Sequence, residues 1–136
     1  MSNRADILLR CKIYLAGPMR HFPYYNFPLF DMIASTLRMA GHEVANPADM
    51  DREQRGFDAA KLPADSDWSL VPDGFDLHGC IRHDVEAVLW ADALVLLPMW
   101  EQSIGATAEV AIARWAMKDV RVWGGFADYL PRLENL

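Results

Sequence analysis

The sequence predicts an α/β domain with a mostly parallel sheet of four to five strands between helical layers. Three observations predict it. Short runs with strand character alternate with segments whose apolar residues recur at helical spacing. The run 93–98, A-L-V-L-L-P, is apolar throughout, as a parallel strand covered on both faces requires. The chain has 136 residues, 52% hydrophobic and 24% charged, which suits a single domain spanning 1–136 and excludes a largely disordered chain.

Each element has its own local reason. Residues 11–16 (C-K-I-Y-L-A) form a short buried strand that Gly17-Pro18 stops abruptly. Asn26 is placed to cap a helix with Pro28 just inside it, and Leu29, Phe30, Ile33, Leu37 and Ala40 carry that helix to Gly41. Glu43 to Ala45 form a second strand, closed by Asn46-Pro47. Residues 48–76, rich in Asp, Pro and Gly, read as an irregular loop or lid inserted in the domain. Leu77, Ile81, Val85, Val88 and Leu89 make an apolar stripe and predict a helix over 77–91. After the 93–98 strand come a helix over 103–118, a strand over 120–123, and a short helix or arm over 124–136. The 103–118 helix is apolar nearly all round. One face can meet the sheet, so the other is expected to meet a second subunit in a homo-oligomer, a dimer or higher.

Composition narrows the partners. Thirteen Lys and Arg against nineteen Asp and Glu give a net charge of -6, which argues against a nucleic-acid duplex or an anionic membrane as partner. The N-terminus lacks a signal-peptide pattern and no run is long enough to span a membrane, so a cytoplasmic protein is expected. Cys11 and Cys80 are too few for a disulfide framework. His78 and His83 flank Cys80 and precede Asp84, but five residues of spacing does not put two imidazoles on one helix face, so no metal is expected.

Ligands of open parallel sheets bind beyond the carboxyl ends of the strands. There the first strand delivers Tyr14 and the turn Gly17-Pro18-Met19-Arg20. The 93–98 strand delivers Met99-Trp100-Glu101-Gln102-Ser103 and the start of the next helix, with Glu109 one turn into it. Asp84 sits in the second turn of the preceding helix. Tyr14 also reads as a core tyrosine, Arg20 as a solvated charge and Asp84 as a dipole-favoured acid near a helix start. Glu109 is harder to explain structurally, because Ala106, Ala108, Val110, Ile112 and Ala113 surround it. A carboxylate there has a raised pKa unless it finds donors. Two carboxylates near a Tyr hydroxyl and an anion pocket fit glycosidic-bond chemistry, in which one attacks the anomeric carbon and the other handles the leaving group's proton.

Several stretches, K-I-Y-L-A-G-P-M-R (12–20), Y-N-F-P (25–28), A-G-H-E-V-A-N-P (40–47), H-D (83–84), A-D-A-L-V-L-L-P (91–98) and S-I-G-A-T-A-E-V-A-I-A (103–113), together resemble the nucleoside 2-deoxyribosyltransferase superfamily. The likeness runs over about 11–123 and is greatest to its small phage and prophage branch, near the 2′-deoxynucleoside 5′-phosphate N-hydrolases. It implies a flavodoxin-like, three-layer fold, no cofactor, and a covalent mechanism on the C1′–N bond of a small-molecule nucleotide or nucleoside. By the same resemblance Glu109 matches the nucleophile, Tyr14 the hydroxyl that positions it, and Asp84 the acid that protonates or orients the departing base. Ser103 matches the serine that holds a 5′-phosphate, and Arg20 a second phosphate contact. Gly17, Pro18, Met19, Gly105 and Trp100 complete the substrate-binding set. Ala106 stands where the family typically has Thr or Ser, and Ala111 where it has Gly; both departures bear on turnover more than on binding. The resemblance implies nucleotide N-hydrolysis first, base exchange by deoxyribosyl transfer second. A non-catalytic nucleotide-binding sensor or sponge is the rival.

Overall fold

The computed structural model describes residues 10–71 and 74–124. Four strands, β1 (Lys12–Ala16), β2 (Glu43–Ala45), β3 (Ala93–Leu96) and β4 (Asp119–Val122), form one parallel sheet in the order β2-β1-β3-β4. Helices α1 (Phe27–Met39), α2 (Pro47–Arg55), α3 (Leu77–Trp90) and α4 (Ile104–Trp115) connect them. The chain runs from β1 outward to β2 and then returns past β1 to β3 and β4. The order therefore reverses between β1 and β3, which opens a crevice beyond their carboxyl ends.

Strand alternation builds two core layers. Ile13 and Leu15 of β1, with Val95 and Leu97, pack on Phe27, Phe30, Ile33 and Leu37 of α1. Tyr14 and Ala16 face the other way, joining Leu94 and Leu96 against Val88 of α3 and Ala106, Val110 and Ala113 of α4. Opposite faces follow from the two-residue period of a strand, so Tyr14 reaches the α3–α4 side because its neighbours reach α1. Gly17 lets β1 end against β3: a Cβ there would stand 2.6 Å from Leu97 Cβ.

Three expectations need correction. The segment expected as a loop begins with the nine-residue helix α2. Asn46 caps it by accepting the Ala48 amide, and Gly56 ends it at a φ of 62°. Its sequence is polar and only Pro47, Ala48 and Asp51 are buried, so it carries no apolar stripe to read. Asn26 precedes α1 in a left-handed conformation and does not cap it; its side chain instead donates to the Pro18 carbonyl at 2.9 Å. The α3 stripe is not all core, since Val88 is buried while Leu77, Ile81 and Leu89 are exposed.

The apolar surface expected on the last helix is present. Ile104, Trp115 and Met117 are 90%, 87% and 91% exposed. Among the described residues no helix is long and apolar enough to cross a membrane. The arm expected over 124–136 lies, beyond Gly124, outside the described residues.

Candidate active site

The crevice beyond β1 and β3 is a cleft of about 440 Å³, within the size range of small-molecule sites. Its walls bring together Tyr14 of β1, the turn Gly17-Pro18-Met19-Arg20, Asp84 of α3, and Ser103, Gly105 and Glu109 at the start of α4. The Tyr14 hydroxyl donates to Glu109 Oε2 at 2.6 Å, across 95 residues of sequence. Tyr14 is 1% exposed, so the core of the sheet fixes its ring and aims its hydroxyl.

Ser103 is the N-cap of α4, its Oγ accepting the Ala106 amide at 3.1 Å. That bond uses the oxygen and leaves the hydroxyl proton to donate into the cleft. The first amides of a helix have no intrahelical acceptor, and here they belong to the cleft-lining residues Ile104 and Gly105. Arg20 and His21 are exposed on the cleft wall, and among the described residues no carboxylate pairs with Arg20. This arrangement suits an anion.

The two carboxyls are electrostatically unequal. Burial pushes Glu109 up to about 8, against the lowering effect of the Tyr14 hydrogen bond, and the charge of Asp84 raises it further. Asp84 is also raised by burial, but the Cys80 thiol at 3.5 Å and the positive charges of Arg55 and His83 hold it down. Both carboxyls are therefore easier to protonate than ordinary ones, Glu109 markedly so. Burial, then the charge of Glu109, lifts Tyr14 well above an ordinary tyrosine, so its hydroxyl stays a donor. Cys80 is pushed up to about 12, chiefly by burial, and remains a thiol.

Residues 11–122 match the protein family described as Domain of unknown function (DUF4406). The chain belongs to that family. A solved structure to which this DUF4406 chain is similar is that of the 2-deoxyribosyltransferase from the psychrotolerant bacterium Bacillus psychrosaccharolyticus. The two share a TM-score of 0.55 and 22% identity, over 88% of this chain and 82% of that one. At this identity the likeness is one of fold, and it agrees with the α/β, flavodoxin-like sheet that the sequence resemblance implies. No curated protein matches the sequence.

Of the residues that sequence analysis singled out, the DUF4406 cleft gathers all but one. Trp100 packs, half-buried, against the α4 side of the core. A one-turn 3-10 helix, Trp100–Gln102, follows the left-handed Met99 and turns the indole inward, so Gln102 and Ser103 take the cleft position. Sequence reasoning missed His21, Phe22, Phe30 and Pro47 on the walls. His21 had a readable signal, since it adjoins Arg20. The rim beside His21 is strained: His21, Tyr24, Tyr25 and Asn26 all have φ between 50° and 74°. Such angles are uncommon outside glycine and collect at functional edges.

Proposed function

We propose that this protein cleaves the N-glycosidic bond of a deoxynucleoside 5′-monophosphate through a glycosyl ester on Glu109. The observation that carries this reading is the 2.6 Å Tyr14–Glu109 hydrogen bond in a cleft that also holds Asp84, Arg20 and Ser103. One carboxyl pair with one proton is sufficient for the reaction. As the C1′–N bond breaks, its electron pair moves onto the base nitrogen, which takes the pair's proton through Asp84. Glu109, now ionised, closes the ester to C1′ while Tyr14 holds its other oxygen in line. Water then attacks C1′, breaks the ester and returns a proton to the pair, leaving 2-deoxyribose 5-phosphate. Arg20, the Ser103 hydroxyl and the first amides of α4 hold the 5′-phosphate by charge-assisted bonds.

A second base in place of water turns the same ester into base exchange. The fold likeness to a 2-deoxyribosyltransferase favours that second reading. The exposed Ile104, Trp115 and Met117 support a two-fold homodimer, and Ile104 also lines the cleft, so the partner would sit at its mouth.

Incubation with a panel of deoxynucleoside monophosphates, followed by chromatography for free base, tests the proposal. Base released by the wild type and lost in Glu109→Ala supports it. Adding a second base and finding a new nucleotide selects transfer. Tight nucleotide binding with no base released from any substrate would overturn the enzyme reading and leave a binding module.

A further inference from the structure

The part of the cleft wall that carries Arg20 is a turn in a conformation its residues do not favour. Phe22 donates its amide to the Met19 carbonyl at 3.2 Å, so Arg20 and His21 are the central pair of a β-turn. Of the two, only His21 has a positive φ, 74°. A left-handed third position is the mark of a type II turn, where glycine ordinarily stands. The unstrained alternative, type I, differs chiefly by a flip of the one peptide plane between Arg20 and His21. Something must therefore hold that peptide.

A strap formed by residues 57–71 holds it from outside the cleft, since no residue of the strap lines the cavity. The His21 amide belongs to that same peptide, and it donates to the Trp68 carbonyl at 2.7 Å. The Trp68 ring is half-buried on the chain that follows the turn. Its centroid lies 5.0 Å from that of Tyr24 and 5.4 Å from that of Tyr25, edge-on to the latter. Both tyrosines have left-handed backbones as well. The Tyr25 hydroxyl donates to the Leu70 carbonyl, and its ring meets Phe57 at 5.8 Å, so the strap is tied down on either side of Trp68. Left-handed angles at residues with side chains persist only where the surroundings over-determine them, and the strap is what does so here.

We propose that Trp68 is a positioning residue for the anion end of the cleft. Its carbonyl fixes the Arg20–His21 peptide in the left-handed turn, and its ring, seated on Tyr24 and Tyr25, keeps that carbonyl in place. The turn is thereby set before a ligand arrives, and Arg20 reaches a phosphate from a fixed backbone rather than a mobile one. Preorganisation of this kind adds affinity by removing an ordering cost. The gain goes only to ligands that use Arg20. A nucleoside without a phosphate makes no demand on that guanidinium, so Trp68 sets a preference for the phosphate without touching it.

This inference deepens the reading of Arg20 as a phosphate contact and rests on it for the affinity; the lock itself is tested without ligand. Hydrogen exchange of the His21 amide, followed by NMR on the full chain, reads its bond to Trp68. Trp68→Ala should speed that exchange roughly tenfold, whereas Trp68→Phe, which keeps a ring on the two tyrosines, should restore most of the protection. Tyr25→Phe removes only the hydroxyl that ties Leu70 and should speed the exchange a few-fold; it decides the matter should Trp68→Ala fail to fold. Calorimetry then compares a deoxynucleoside monophosphate with its nucleoside. Trp68→Ala should lose about tenfold in affinity for the monophosphate and nothing for the nucleoside, and Trp68→Phe should recover the loss. In turnover the same variant should raise KM for the monophosphate and leave kcat unchanged. A merely structural tryptophan would weaken both ligands alike. His21 exchange unaltered by these variants, or equal losses for the two ligands, overturns the proposal. A wild type that binds the monophosphate no better than the nucleoside overturns the phosphate reading and the affinity effect with it, while the exchange measurement still decides the lock.

Discussion

Replacing Glu109 by Gln should stabilise the protein at alkaline pH and leave it nearly unchanged near pH 4. Burial holds this carboxyl at about 8, where an ordinary glutamate would stand at 4.5. Between those values the folded chain keeps a proton that the unfolded chain has released. Stability therefore falls as pH rises through the window, the reverse of a salt-bridged carboxylate. Above the window the accumulated loss is roughly 5 kcal/mol, at 1.36 kcal/mol for each pH unit of the raised midpoint. That is a large share of the roughly 5–15 kcal/mol by which domains typically fold. The Gln amide cannot ionise and still accepts from Tyr14, so the variant escapes the loss. Urea unfolding at pH 5, 7 and 9, followed by tryptophan fluorescence, reads the difference directly. The variant's advantage should open from near zero to several kcal/mol. A gap that stays constant with pH, or a wild type that gains on the variant toward pH 9, would refute the reasoning.

Four further outcomes are expected. Arg20→Ala should weaken deoxynucleoside monophosphate binding by about 1.5–3 kcal/mol, the worth of a charge-assisted bond, and leave the matching nucleoside unaffected; calorimetry with both ligands checks it, and equal losses would make Arg20 structural. The kcat/KM profile should fall above about 8, where the pair loses the proton that the leaving base needs; a rate still rising at pH 9 would contradict this. Gly17→Ala should cost about 1–3 kcal/mol of stability, because its Cβ would meet Leu97; an unchanged urea midpoint would show that β1 and β3 yield easily. Trp115→Glu should convert a dimer into a species of 15.4 kDa by light scattering; a wild type that is already a fully active monomer would remove the basis for the dimer.

How much was legible in the sequence depended on where each element buries itself. β3 was plain because all four residues are buried, and a run with two covered faces is apolar without interruption. α1 was plain because Phe30, Ile33 and Leu37 share one face against the sheet. α2 was hidden because it turns almost no apolar surface inward, although its Asn-Pro start and Gly stop stood in the sequence. The cleft was legible as a set of strand-end residues, since parallel topology brings strand ends together. The indole of Trp100 misled because a left-handed Met99 reverses the chain just before it, which composition does not announce.

Tyr14 is at once a core side chain and the donor to Glu109, and the two duties age differently. Its ring fills space between β1 and α4 whether or not any reaction occurs, so a descendant that abandons catalysis would still suffer a cavity on losing it. Glu109 has the opposite standing, since burial makes its ionised carboxyl a burden on the fold at alkaline pH. Drift in a lineage released from selection would erase the glutamate early and keep the tyrosine long. Across DUF4406 relatives, a tyrosine at this strand position therefore testifies to shared architecture, while a carboxylate opposite it is the residue whose retention would testify to the proposed chemistry.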